Sequence, residues 1–345
     1  MQWCILTHNC FKTYRKFLMG KWGNAYKYNH FMYPLSLEET ALHTANNSVI
    51  VRKSMAPQLL KNHNEDIEKI KEWLSKQPHL PQNIGDLLLL RFLHTCNYSL
   101  EQTKHLIDLF FTIRSQAPEI FGNRDPTDPN IQEVFKIIDL VPLPSPTKEN
   151  YKVFIYRLAD PDPDRYNFVD SLKTFFMIAD TRIVTETEFH SGEIPIFDME
   201  GFSLKHLTKI VLPVLKKYML YTQEAHPIKL KQIHVLNIPP FLDRCLAILK
   251  PFMKSEVASV IHFHLPNSET LYDYIPRDVL PVEYGGNIGK LKDMKNEWIK
   301  KVIALKEYFA DQSRWKVDES RRPIENQNGK QLFGMQGSFR SLNID

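Results

Sequence analysis

Three aspartates alternate at Asp160, Asp162 and Asp164, the spacing with which a calcium loop presents its oxygen ligands. Arg165 then stands where the tight turn needs glycine, Ser171 where a bidentate glutamate is needed, and Pro161 and Pro163 interrupt the set. The segment therefore reads as a proline-stiffened surface turn. His262 and His264 share one face of a candidate strand, with His234 on a candidate neighbour. A zinc site there would need polar access and partners that orient each ring, so these are read as hydrogen-bonded structural histidines. In Gly285-Gly286-Asn287-Ile288-Gly289-Lys290 the first glycine of a phosphate loop would fall on Tyr284, and Leu291 replaces the magnesium-binding hydroxyl. No G-x-G-x-x-G follows a strand, and neither a G-x-S-x-G elbow nor H-E-x-x-H occurs. No catalytic residue, metal ligand or cofactor is assigned.

The elements that could position a site begin at Asn64, where Ile67, Ile70, Trp73 and Leu74 form one helical stripe that Pro78 stops. A second helix fits Asp86 to Thr95. Ser99 and Gln102 then form a capping-box signature ahead of Leu100, Thr103, Ile107, Phe110 and Phe111, up to Pro118. Leu140 to Asn150, with Pro142, Pro144 and Pro146, reads as a linker. Beyond it, candidate strands at Val153 to Leu158, Ile194 to Asp198, Gln232 to Asn237 and Val260 to His264 alternate with helices at about 168–190, 203–224 and 240–253. This β-α-β order predicts an α/β fold, a mainly parallel sheet with helices packed on it. The expected division is an N-terminal extension over 1–61, a helical domain over 62–140, an α/β domain over 141–290 and a C-terminal helix with polar tail over 291–345.

The chain of 345 residues is 43% hydrophobic and can bury a large core. Its net charge of +4, from 44 Lys and Arg against 40 Asp and Glu, gives no reason to expect nucleic acid. Cys4, Cys10, Cys96 and Cys245 write neither a CxxC knuckle nor a disulfide framework, which points to a reducing, cytoplasmic compartment; separately, a monomer is expected. No apolar run nears the roughly 18 residues needed to cross a bilayer, so membrane contact is expected to be peripheral. Lys12, Arg15, Lys16, Lys21 and Lys27 precede the first acid, Glu38, as in organelle presequences, but no cleavage site follows, and a poorly ordered extension is the reading preferred. The sequons at Asn46 and Asn97 carry little weight without a secretory signal.

From about Asp66 to Lys290 the sequence resembles the CRAL-TRIO lipid-transfer family, in particular its tocopherol- and retinaldehyde-carrier branch. The segments that carry this are Leu90-Arg91-Phe92-Leu93 with Pro118-Glu119-Ile120-Phe121, then Ile196-Phe197-Asp198-Met199-Glu200-Gly201, then His226 to Asn237, Lys250-Pro251-Phe252, and Leu280-Pro281-Val282-Glu283-Tyr284-Gly285-Gly286. Phe333 to Arg340 resembles the tail of one branch. The resemblance implies a helical N-terminal domain and a lipid-binding α/β domain whose sheet floors a cavity closed by a mobile helix, Pro240 to Met253. It implies a cavity wall that includes Phe176, Asp180, Phe197, Tyr218, Tyr221, Ile233, Leu242, Cys245, Ile248 and Leu249, each of which core packing would also explain. As a buried carboxylate, Asp180 must be paired, be protonated or meet a polar head group. The resemblance also places a phosphoinositide-binding cleft at Lys229 and Lys231, with Glu256 and Val260 at its other two positions and Lys254 nearby. The function expected is binding and membrane-to-membrane transfer of a tocopherol-, retinoid- or phospholipid-like ligand, with transient attachment to an anionic surface and no enzymatic step. The alternative is a non-carrier module that binds a phosphoinositide surface or a protein partner.

Overall fold

The computed structural model describes residues 55–323; the basic segment 1–37, the sequon at Asn46 and the Phe333 to Arg340 motif lie outside them. The first helices are α1 (Ala56–Asn62), α2 (Asn64–Ser75), α3 (Asp86–Thr95), α4 (Leu100–Ser115), α5 (Pro118–Phe121) and α6 (Pro129–Ile137). The α2 stripe is buried at Ile67, Ile70 and Leu74, as its period requires. At the start of α4 the expected capping box does not form: Ser99 makes no side-chain cap. Its carbonyl is taken instead by the hydroxyl of Thr103 at 2.7 Å.

One five-stranded sheet follows, in the order β1 (Ile138–Pro142), β2 (Tyr151–Leu158), β3 (Gly192–Asp198), β4 (Ile233–Leu236) and β5 (Ile261–Phe263). Leu140 to Pro142, read above as linker, are strand: β1 runs antiparallel to β2, while β2 to β5 are parallel. Pro142 closes this edge strand, where a missing amide is tolerated. Between the strands lie α7 (Phe168–Thr185), α8 (Leu204–Thr208), α9 (Leu212–Glu224), α10 (Leu242–Leu249) and α11 (Ser255–Ala258); α12 (Leu291–Ala304) and α13 (Lys306–Ala310) follow the sheet.

Because the parallel strands are laid down in sequential order, right-handed crossovers carry α7, α9 and α10 to the same face of the sheet. Ring contact between Phe154 of β2 and Phe175 of α7, 5.5 Å between centroids, marks that face. Residues 265–289 cover the other. There Tyr284 donates its hydroxyl to Asp198 at 2.8 Å, and Tyr274 lies against His234. The glycine run behaves as a turn: Gly285 is left-handed at φ 71°, and a Cβ on Gly286 would stand 1.8 Å from the Leu280 carbonyl oxygen. The alternating aspartates form Asx turns, Asp160 accepting from the Asp162 amide and Asp162 from that of Asp164, with Arg165 paired to Asp160 and Glu133.

Candidate functional site

Strand alternation divides the sheet residues between two environments. On the far face Ile155, Ile196 and His234 stand side by side and are wholly buried. On the helix-bearing face the register aligns Tyr156 with Phe197, Phe197 with Val235 and Val235 with Phe263, and Ile233 with Ile261. This apolar row is only half-buried at Tyr156, Phe197, Ile233, Val235, Ile261 and Phe263. Four strands therefore present a continuous hydrophobic floor that the protein's own side chains do not seal. Burial pushes the Tyr156 phenol well above its ordinary range and that of Tyr218 up to about 12, so both hydroxyls stay uncharged beside the floor.

The helix that crosses from β4 to β5 is shorter than the sequence suggested. α10 ends at Leu249, and Lys250 to Phe252 continue as a 3-10 turn. Leu242, Cys245 and Leu249 fall at i, i+3 and i+7 on one stripe with Ile248 beside it, and Asp243, Arg244, Ala247 and Lys250 face water. The helix is thus amphipathic and covered on one side. Its far end is tied to α9 by Gln223, which donates to the Phe252 carbonyl at 2.9 Å and accepts from the Lys254 amide at 2.8 Å. At the near end Phe241 lies 6.5 Å from Phe202.

The expected wall residues separate into two groups. Phe197 and Ile233 stand on the floor; Tyr218 reaches Phe175, which touches Phe154 of the floor; Leu242, Cys245, Ile248 and Leu249 form the inner stripe of α10. Phe176, Asp180 and Tyr221 lie instead in a sealed core. Phe176 packs on Phe121, Tyr221 and His226. Asp180 accepts from Arg114 at 2.8 and 2.6 Å and from Arg124, and Arg114 also donates to the Tyr221 hydroxyl at 2.8 Å. The carboxylate is thus satisfied by guanidinium groups, which supplies the pairing that burial demands without a ligand head group. Burial, which would raise its pKa, is outweighed by the two arginines, which hold it below the usual carboxylate range.

Phe154, Phe175, Tyr156, Val235, Ile261 and Phe263 were not assigned from sequence. Alternation along the strands would have found the strand members, but the choice between Phe175 and Phe176 depends on a rotation of α7 that adjacent aromatic residues leave undetermined.

Lys229 and Lys231 flank the bridge of Leu230 to Glu193, and burial first, then Lys231, pulls the Lys229 ammonium below its ordinary range. Lys229 donates to Asn97 at 2.7 Å and lines a polar recess of about 40 Å³ with Arg91, Arg182 and His190. Lys254 is apart from this pair, ion-paired with Glu224 of α9. An apolar cleft of about 200 Å³ lined by Leu87, Leu88, Phe111 and Trp315 lies elsewhere and contains none of the expected residues.

An unsealed apolar floor under an amphipathic crossover helix, preceded by a helical region, is the arrangement that the sequence resemblance implied. Residues 139–286 match the CRAL/TRIO domain and residues 59–131 the Pinta-like UBA domain, in the order in which the helical region and the sheet domain follow one another. A human protein described as alpha-tocopherol transfer protein-like is 27% identical over 227 residues, 66% of this chain and 66% of its own. The match thus spans just under two thirds of that relative's length. Rat clavesin-2 is 25% identical over 271 residues, 78% of this chain and 81% of its own. The crystal structure of Sfh5 superposes with a TM-score of 0.43 at 14% identity, over 74% of this chain and 98% of that one.

Proposed function

We propose that the chain binds one small hydrophobic molecule between the sheet floor and α10 and carries it between membranes. The observation that supports this most is the half-buried row Tyr156, Phe197, Val235 and Phe263, set against Ile155, Ile196 and His234, which are sealed on the opposite face. Each methylene moved onto such a surface gains about 0.8 kcal/mol, so a sixteen-carbon chain gains on the order of 10 kcal/mol with no chemical step. The names of the relatives favour a tocopherol-like ligand, and a retinoid or phospholipid has the same apolar requirement. The four α10 residues Leu242, Cys245, Ile248 and Leu249 close over the ligand, Phe197, Ile233 and Tyr218 contact it from below, and Phe176, Asp180 and Tyr221 hold the wall behind. Delivery requires that the closed and open forms differ in affinity for a membrane. Exposed Leu204, Val211 and Leu212, at 41, 41 and 46%, bracket Lys205 and Lys209 in the chain and suit shallow contact with an anionic surface, with Lys229 and Lys231 adding positive charge. Among the described residues no helix is long and apolar enough to cross a membrane.

Equilibrium binding of fluorescent retinoid, tocopherol and phospholipid probes should show saturable uptake of one molecule per chain for at least one of them. Leu249→Asp should abolish it while far-ultraviolet circular dichroism stays unchanged, because an unpaired carboxylate in a dry site opposes the ligand by several kcal/mol. Absence of saturable uptake of all three probes by the wild type would overturn the proposal.

A further inference from the structure

The far face of β4 and β5 carries a ladder of imidazoles. His234 Nδ1 lies 2.9 Å from His264 Nε2, His234 Nε2 lies 3.2 Å from Gln232 Oε1, and His264 Nδ1 lies 2.8 Å from the Thr270 hydroxyl. His262 stacks on His234 with centroids 5.1 Å apart and planes at 19°, and Tyr274 closes the stack at 4.4 Å from His262. The Gln232 carbonyl accepts, so His234 carries its proton on Nε2 and leaves Nδ1 bare. His264 must then donate from Nε2 and accept the Thr270 hydroxyl on Nδ1. The chain is complete with both rings neutral. A first added proton can be housed by reversing the bonds of His264, but it leaves an imidazolium in contact with two further imidazoles. A second sets N–H against N–H across 2.9 Å.

What this ladder fastens is short. β5 has three residues, Ile261 to Phe263, and joins the sheet through β4 alone. Its ladder to β4 has three pairs, Ile233 with Ile261, His234 with His262 and Val235 with Phe263, and beyond the ladder bonds Ile233 N–H donates to the Val260 carbonyl at 2.9 Å, His264 N–H to the Val235 carbonyl at 2.9 Å and Ile238 N–H to the His264 carbonyl at 3.2 Å. The whole of α10 and α11 is strung between β4 and β5. We propose that the His234–His262–His264 ladder is an acid-sensitive latch: protonation unpairs β5 from β4 and frees the far anchor of the α10–α11 segment.

The groups facing the ladder are Gln232 beside β4, Ile196 from β3, and Ser268, Thr270, Asp273 and Tyr274 from the covering segment. Burial, then His264 and His262, press the His234 imidazole down to about 3. Burial and His262 lower His264, partly offset by Asp273, and burial lowers His262. Each ring therefore binds a proton more readily when the strand is open, at about pH 6.5, than when it is closed. Closure is at full strength above that pH, and below it the open fraction rises by up to about tenfold per pH unit for each ring that titrates. Ligand release on acidification rests on the function proposed above; the latch itself does not.

Hydrogen–deuterium exchange of the full chain without added ligand, corrected for the intrinsic pH dependence of exchange, tests it. Between pH 7.5 and 5.5 the opening of residues 256–264 should rise about tenfold or more relative to α4, with its onset near pH 6.5, where the rings of the open strand begin to take up protons. His264→Gln keeps a donor toward His234 but takes no proton, and His262→Phe keeps the stack; each should flatten the rise. Unchanged corrected protection of 256–264 in the wild type would overturn the latch, as would an equal rise in both variants. If either variant fails to fold, a wild-type rise that is equal in α4 and in residues 256–264, or that shows no onset near pH 6.5, overturns it as well.

Discussion

Replacing Asp180 with Asn should be among the most destabilising single changes available to this chain. The carboxylate is 0% exposed and is the shared acceptor of two guanidinium groups, Arg114 through two bonds and Arg124 through one. Rings surround both cations: Arg114 lies 4.0 Å from Phe110 and 4.7 Å from Trp315, and Arg124 lies 4.7 Å from Trp315 and 5.1 Å from Phe309. With Asn at 180, two buried cations lose their anion and an amide donor is turned on donors, a loss of about 3–5 kcal/mol. For a chain of this size that is a fall of about 4–7 °C in Tm. The reverse change has a different outcome. Arg124 is the surplus cation, held below its ordinary range by burial, with Nε and Nη2 lacking partners among the described residues. Arg124→Met should therefore alter stability by less than about 2 kcal/mol, and adding it to Asp180→Asn should recover part of the loss. Urea unfolding followed by tryptophan fluorescence measures all three. Wild-type stability in Asp180→Asn would refute the reasoning, and so would an Arg124→Met loss equal to that of Asp180→Asn.

Gly286→Ala should cost about 3 kcal/mol or more in the same assay, because its Cβ would meet the Leu280 carbonyl at 1.8 Å and the Arg277 carbonyl at 2.4 Å; a loss under about 1 kcal/mol would mean the turn can shift. Changing Lys229 and Lys231 together to Ala should slow transfer to anionic vesicles severalfold at low salt and leave ligand affinity unchanged, at about 1 kcal/mol per lysine; an unchanged rate would remove both from docking. Stability should be flat above about pH 6.5 and fall toward pH 4, because burial holds His94, His190 and His226 at about 4 and all three take up protons on unfolding. Fully buried His226 alone accounts for roughly 3 kcal/mol over that window, and denaturant midpoints that do not move between pH 7 and 5 would contradict the assignment.

The parts of the fold most legible in sequence were those with a strong period or a strong breaker. The α2 stripe of Ile67, Ile70 and Leu74, and the four parallel strands, lie where periodicity placed them. β1 was missed because Pro142, Pro144 and Pro146 mimic a linker, and an antiparallel edge strand of five residues has no period long enough to outweigh them. The floor was half legible: Phe197 and Ile233 were named, while Phe154, Tyr156, Val235 and Phe263 follow from the same alternation once the register is known. Asp180 illustrates the limit. Its burial could be read from the apolar residues around it, but its partners lie 66 and 56 positions away, and no local pattern encodes that pairing.

Organic extraction of the purified native chain followed by quantitative mass spectrometry tests the carrier account most directly. One apolar molecule per chain, retained by the wild type and lost in Leu249→Asp, is the predicted result. An extract with no lipid above that of a non-binding control protein, from a chain that also takes up none on incubation with membranes, would contradict it.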